Sequence, residues 1–314
     1  MSADRDDELR RTAIAAVREF SRRFDDIIPV AVLREGFVFA GERISLGSFY
    51  SGIFRPRQMR GPAALTITTA PPKLTRDAPY EDGFDEHSEA FVYHYRSPRG
   101  ATPAALRAAE VDNEALRAAA AQAVALIYFH GVAPGQYTAI APAFVVRDDA
   151  ERRRVELQAA LPVADTTSAG LTSGEDIRRY ATRDAVVRLH QHRFRSLVLR
   201  AYQGKCAVCA LREADLLQAA HIVEDRDPRG VATVINGIAL CAIHHLAYDR
   251  NLMGIDPRGG VHVSQRLLHE HDGPMLRTGL QGFHGAAILQ PRRRDERPDP
   301  DRLELRYDAF RQAA

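Results

Sequence analysis

Residues 6–24 carry Leu9, Ile14, Val17 and Phe20 at helical spacing, which predicts an opening amphipathic helix. From Val30 the period shortens. Phe37–Phe39 and the apolar runs at 64–68, 91–95, 125–129 and 144–146 read as short strands separated by Gly and Pro turn signals. One Ala- and Leu-rich stretch, 112–124, interrupts them as a helix. Together these predict a mostly-β domain with a helix packed on it, ending near Pro162. A small, polar stretch at 165–176 reads as a linker. After it comes a helical segment rich in arginine: Arg178, Arg179, Arg183, Arg188, Arg193, Arg195 and Arg200, against Asp184 alone. Its apolar members Phe194, Leu197, Val198 and Ala201 share one face and predict packing onto the C-terminal part of the chain. The region of Arg292, Arg293 and Arg294 is charged and Pro-rich until a short final helix at 303–312.

Composition narrows the class. At 314 residues and 45% apolar, the chain supports two domains with real cores. A net charge of +2 gives no overall basic field, so any nucleic-acid surface must be local. No apolar run approaches the roughly 18 residues of a membrane span. The first eleven residues alternate acid and base without a signal-peptide core. Three cysteines argue against a disulfide framework and for a reducing compartment, so the expectation is a soluble, cytoplasmic protein.

All three cysteines fall into one pattern. Cys206-Ala-Val-Cys209 is followed by Cys241-Ala-Ile-His244. Ligands two residues apart make a knuckle that grips one face of a tetrahedral Zn²⁺, and a second such pair closes it. The alternative is that they are small core residues. Four protein ligands leave no open position, which makes this a structural zinc, and catalysis needs other side chains.

Those lie in the loop the zinc would bound. Leu216-Leu-Gln-Ala-Ala-His221-Ile222 reads as a strand delivering one histidine, and Asn236-Gly-Ile-Ala-Leu240 leads into Cys241. On a following helix His245 and Asp249, four apart, share a face. Neighbouring His244 and His245 point about 100° apart and should serve different ions. His244 therefore goes to zinc, and His245 with Asp249 to a second site suited to Mg²⁺ or Mn²⁺, with Ni²⁺ or Co²⁺ as alternatives. The bland readings are a satisfied core histidine for His221 and a helix-face ion pair for Asp249.

The stretch from Cys206 through Ile255 resembles the HNH nuclease family, its restriction-enzyme branch above all, in the ordered set His221, Asn236, His245. The resemblance implies a β-hairpin and helix clasping one divalent ion. His221 would be the general base that activates water, His245 would bind the metal, and Asn236 would brace the loop or act as a ligand. Many members carry Asp or His directly before the base; here that position is Ala220, which leaves Asp249 as the replacement carboxylate.

The first domain carries a second resemblance. Gly52-Ile-Phe-Arg-Pro-Arg-Gln58, a Thr-rich strand, Tyr80-Glu-Asp-Gly-Phe-Asp85, an aromatic strand ending in Tyr93, and Asp112-Asn-Glu-Ala-Leu116 resemble in order the SET-and-RING-associated (SRA) family. That family flips modified cytosine from duplex DNA. The resemblance implies that Tyr80 and Tyr93 sandwich the base while Asp82 or Asp85 reads its edge. The usual glycines before the Tyr-Glu-Asp element are here Asp77-Ala-Pro79, and the Tyr-Thr-Gly after the second aromatic is Tyr93-His-Tyr95. An unrelated β-barrel with core tyrosines is the alternative.

The expected architecture is α+β: an N-terminal mostly-β SRA/PUA-like barrel plus a C-terminal ββα-metal (HNH) module with helical connectors. The expected divisions are a helix at 1–29, an SRA-like DNA-reading domain at 30–165, a linker and Arg-rich helix at 166–193, an HNH nuclease domain at 194–270 and an extension at 271–314. Arg188, Arg193, Arg195 and Arg200 either contact DNA phosphates or form a solvated face. The function expected is modification-dependent cleavage of double-stranded DNA. One HNH centre cuts one strand, so a double-strand break needs a homodimer or two binding events. The competitors are a nuclease of unmodified or structured DNA and a non-enzymatic, zinc-stabilised DNA-binding protein.

Overall fold

A computed structural model describes residues 2–47, 52–71, 83–85, 88–160, 174–224, 227 and 229–313. The chain divides into two compact units, Met1–His192 and Arg193–Ala314.

In the first unit, α1 (Ser2–Arg23) leads to β1 (Ile28–Pro29), α2 (Val30–Glu35) and the hairpin β2 (Phe37–Phe39) and β3 (Glu42–Ile44). Then follow β4 (Ile53–Phe54), β5 (Thr66–Thr69), β6 (Gly83–Asp85), β7 (Ala90–His94), α3 (Pro103–Ala121), β8 (Leu126–Ala133), β9 (Gln136–Asp149), β10 (Arg154–Ala159) and α4 (Gly174–Ala201), whose residues from Arg193 onward belong to the second unit. The main sheet runs β4-β5-β8-β9-β10-β7-β6, with β1 added on β9. Its pairings are antiparallel except β5 with β8.

The expected barrel is corrected here: among the described residues the path is open, with β4 and β6 at its ends. Strands of two and three residues offer too little ladder to close a sheet. Two cores flank the sheet. One gathers Phe91, Tyr93, Leu116, Tyr128, Val155 and Leu157. The other takes the buried stripe of α1, Leu9, Ala13 and Val17, against Phe37, Leu65, Ile127 and Phe129. Arg10, on the same helix, is buried yet donates to the carbonyls of Ala63 (3.1 Å), Ala64 (2.6 Å) and Ala125 (2.9 Å). Burial lowers the pKa of its guanidinium, and Asp6 and Asp7 oppose that shift. Gly36 has φ 72°, and a Cβ there would lie 1.9 Å from the Ile44 carbonyl oxygen, so only glycine lets β3 approach.

Two elements differ from the sequence reading. α3 starts nine residues earlier than the expected 112, because Thr102 caps it by accepting from Ala105 N (3.2 Å) and Pro103 takes the first turn. β9 is far longer than the expected 144–146. Pro142 interrupts the sequence pattern, but a register shift against β8 between Leu126 and Tyr128 accommodates it.

The second unit contains β11 (Leu217–His221), β12 (Gly237–Cys241), α5 (Ala242–Asp249), the hairpin β13 (Met253–Ile255) and β14 (Val261–Val263), α6 (Gln265–Leu268), α7 (Pro274–Gly279) and α8 (Pro300–Ala313). Its core joins Phe194, Val198 and Tyr202 from the end of α4 to the β11–β12 hairpin and Tyr248, and it includes Ile288 and Leu303. Residues 271–314 therefore build this core rather than trail from it. No helix among the described residues is long and apolar enough to cross a membrane.

Candidate active site and metal centre

β11 and β12 pair antiparallel from Leu217↔Cys241 to His221↔Gly237, and α5 follows β12 directly. Cys241, the last residue of β12, is the N-cap of α5. One turn later His244 points back at it. The first cysteine pair sits on a tight knuckle, where Ala210 N donates to Cys206 O (3.0 Å) and Ala210 takes φ 61°. Ala207 N donates to Ala239 O (2.7 Å), which pins that knuckle to β12.

The ligand atoms of Cys206, Cys209, Cys241 and His244 all lie within 4.8 Å of one another. A tetrahedral zinc with ordinary bond lengths would set S···S at about 3.8 Å and S···N at about 3.6 Å. The observed separations are 3.9 Å for Cys209–Cys241 and 3.5 Å and 3.1 Å from His244 Nδ1 to Cys206 and Cys241. The donor set therefore fits zinc. His244 Nε2 lies 2.9 Å from the Gly279 carbonyl. A carbonyl only accepts, so the ring proton is on Nε2 and the Nδ1 lone pair faces the thiols. Gly279 ends α7, which ties residues beyond 270 to the metal site. Hydrogen bonding to Cys206, reinforced by burial, pushes the Cys241 thiol up to about 11; burial raises Cys209, and the bond from Cys241 lowers Cys206. Three thiols this close resist joint ionisation, and a cation among them removes that resistance.

A second constellation lies on the other face of α5. His245 Nδ1 is 2.7 Å from Gln218 Oε1, and its Nε2 is 3.3 Å from Asp249 Oδ2. The amide oxygen accepts the Nδ1 proton, which leaves the Nε2 lone pair beside a carboxylate oxygen. Their separation is close to the edge, about 3 Å, of an octahedron with bonds of about 2.1 Å. These two residues could hold a divalent ion. Among the described residues no third His, Cys, Asp or Glu completes a cluster with them, and the cysteine site is the one such group. Ala220 is fully buried opposite Ile238, so the strand position before His221 is core.

His221 ends β11 with its imidazole stacked on Phe194, centroids 3.9 Å apart. Asn236 is fully buried. Its Oδ1 accepts from Val223 N (3.0 Å), and its Nδ2 donates to the carbonyls of Val223 (3.0 Å) and Val231 (3.1 Å). Both ends of the amide are thus used in tying down the loop between the strands. Sequence reasoning named neither Gln218 nor Phe194 in the site. Gln218 could have been found: it is two residues before Ala220, on the same strand face.

The arginines have varied company. Arg188 pairs with Asp184 (3.2 Å), Arg200 lies 4.0 Å from Glu296, and Arg195 donates to the carbonyl of Leu217 (3.0 Å) at the start of β11. Arg193 is exposed. In the first unit, Tyr80 and Asp82 lie outside the described residues. Asp85 is half-buried in β6. Tyr93 is 4% exposed, edge-on to Tyr128 in the core.

A zinc-fitting knuckle pair, a two-stranded hairpin and a helix carry His, Asn and His in that order, the ββα-metal arrangement expected from the sequence. Residues 206–256 match the HNH endonuclease family, and this match supports a DNA endonuclease activity. Among solved structures, "Modification dependent TagI restriction endonuclease" is similar at 16% identity, covering 82% of this chain and 85% of that one, with a TM-score of 0.29. No curated protein matches.

Proposed function

We propose that the chain hydrolyses phosphodiester bonds of double-stranded DNA carrying modified cytosine, in the manner of a modification-dependent restriction enzyme. The observation that carries the nuclease reading is the pairing of His245 Nε2 with Asp249 Oδ2 on a helix packed against the strand that ends in His221. His221 serves as the general base: an imidazole titrates near neutrality and takes a proton from water as it attacks phosphorus. His245 and Asp249 hold one Mg²⁺ or Mn²⁺ ion, with Ni²⁺ or Co²⁺ as alternatives. When bound, that ion stabilises charge on the phosphate and on the departing 3′ oxygen. Gln218 fixes the His245 tautomer, and Asn236 holds the loop behind the base. Cys206, Cys209, Cys241 and His244 hold a structural zinc. Exposed Arg193, with Arg188, Arg195 and Arg200, supplies phosphate contacts.

Modified-base reading rests on the order of motifs in the first unit, with Tyr80, Tyr93 and Asp82 or Asp85 around the base. The divisions proposed are the helix at 1–29, reader at 30–165, connector at 166–193 and nuclease at 194–270, with the extension at 271–314 contributing to the nuclease core, and a homodimer would deliver a double-strand cut. A second reading, cleavage of unmodified or structured DNA, is favoured by Tyr93, which packs in the core. Plasmid cleavage with Mg²⁺ or Mn²⁺ separates the two. Cutting confined to DNA with methylated or hydroxymethylated cytosine supports the first, and equal cutting of an unmodified copy supports the second.

A further inference from the structure

We propose that Phe194 is the positioning residue of the His221 base, and that residue 237 is glycine because Val198 and the Phe194 ring together occupy the space a side chain there would need. The inference rests on the reading of His221 as general base and adds the group that aims it.

The phenyl and imidazole rings lie face to face, centroids 3.9 Å apart and planes 12° from parallel. Most aromatic pairs in proteins are edge-on or offset at about 4.5–7 Å, so this is an unusually close, flat contact. Phe194 is itself immobilised. It is 3% exposed and shares the second unit's core with Val198, Ala201 and Tyr202 from the same helix end.

The partner strand makes room for it. His221 pairs across the hairpin with Gly237. Gly237 has φ −130° and ψ 144°, extended backbone open to any residue, so its own conformation does not call for glycine. Space does. A Cβ there would lie 2.4 Å from Val198 Cγ2 and 2.9 Å and 3.0 Å from two carbons of the Phe194 ring. A cross-strand neighbour would ordinarily pack beside His221; here that place is given to Val198 and the Phe194 ring, both arriving from α4.

The chemistry explains why a stack suits a base. An imidazole can be oriented through a nitrogen or through a face. His244 and His245 are held through a nitrogen, by Gly279 O and Gln218 Oε1, which suits ligands that need only one lone pair. A general base that takes a proton and then releases it works through the ring edge. Stacking restrains rotation of the ring without drawing on either nitrogen, and an apolar partner does not compete for the proton. Misplacing a reacting group by about 1 Å can cost on the order of 10²-fold in rate.

The test is single-turnover cleavage by the full-length protein with Mn²⁺, on a duplex the wild type cuts, alongside DNA affinity and zinc content. Phe194→Leu keeps an apolar side chain and removes the flat face. It should cut at least about tenfold more slowly, with DNA affinity and zinc unchanged. Phe194→Tyr, which restores the face, should cut within about threefold of wild type. Because Phe194 acts through His221, Phe194→Leu should slow a His221→Ala protein no further. Wild-type cutting by Phe194→Leu would overturn the proposal. So would equal slowing in the His221→Ala background, or a Phe194→Tyr as slow as Phe194→Leu. If Phe194→Leu loses zinc, Phe194→Met takes its place in the same comparison. Wild-type cutting by His221→Ala is a distinct result: it removes the base reading itself, and with it this role.

Discussion

Replacing Asn236 by aspartate separates a brace from a ligand, because the two side chains have nearly one shape. The Asn236 amide is fully buried, accepts from Val223 N and donates to the carbonyls of Val223 and Val231 at 3.0 Å and 3.1 Å. An ionised aspartate keeps the acceptor and loses both donors. Two lost hydrogen bonds cost about 1 kcal/mol each, and leaving the buried Val223 carbonyl facing a carboxylate adds about 1 kcal/mol or more, for a total of about 3 kcal/mol. Folding free energies of about 5–15 kcal/mol are usual, so such a loss should be plain. The cost depends on pH. Burial against carbonyls raises the folded-state pKa of the new carboxyl above its unfolded value of about 3.9. The folded state then holds the proton more tightly, so stability is retained below about pH 4 and declines as pH rises through the folded pKa. Once protonated, the group donates one bond to the Val223 carbonyl, and about 1 kcal/mol of the loss remains. Urea unfolding of Asn236→Asp and wild type at pH 5 and pH 8, with Mn²⁺-titrated cleavage at pH 8, measures both effects. The expected result is a larger deficit at pH 8 and weak cleavage at every Mn²⁺ concentration. A variant as stable as wild type that cuts at lower Mn²⁺ would refute the brace and make residue 236 a ligand.

The same geometry sets other outcomes. Cys241→Ser should lose the single zinc measured by atomic absorption and destabilise the second unit by at least about 3 kcal/mol, a fraction of the roughly 10–16 kcal/mol typical of zinc-dependent folding; full zinc retention would contradict the ligand assignment. Gln218→Leu removes the acceptor on His245 Nδ1, and should raise the Mn²⁺ concentration for half-maximal cleavage about 10- to 100-fold, with Gln218→Glu restoring most of it. Arg10→Met strands the buried carbonyls of Ala63 and Ala64 and the part-buried one of Ala125 and should lower first-unit stability in urea by about 2 kcal/mol or more while zinc stays bound. An unchanged unfolding curve would show that those carbonyls do not depend on Arg10.

The candidate metal ligands were legible in the sequence because their geometry is local. A Cys-x-x-Cys and a Cys-x-x-His set bring donors together through one turn each, and four-residue spacing places His245 and Asp249 on one helix face however the rest folds. The open sheet was not legible. Closure depends on whether the end strands β4 and β6 meet, and chain order does not reveal that, because β5 pairs with β8 and β7 with β10 across long stretches of sequence. Alternation within a strand says nothing about edges. The start of α3 was written locally in Thr102-Pro103, whereas the length of β9 through Pro142 was set by its partners.

By itself, then, the sequence determined the donor atoms: which thiols, imidazoles and carboxylates exist and which neighbours share a turn. Only the tertiary structure decided how they are aimed. The Asn236 amide on Val223, Gln218 on His245 and Gly279 on His244 join residues 13, 27 and 35 positions apart. Phe194 on His221 and the contacts that exclude a side chain at Gly237 are of the same kind. Such contacts arise from packing between elements, whose energy depends on shape and distance rather than on spacing along the chain.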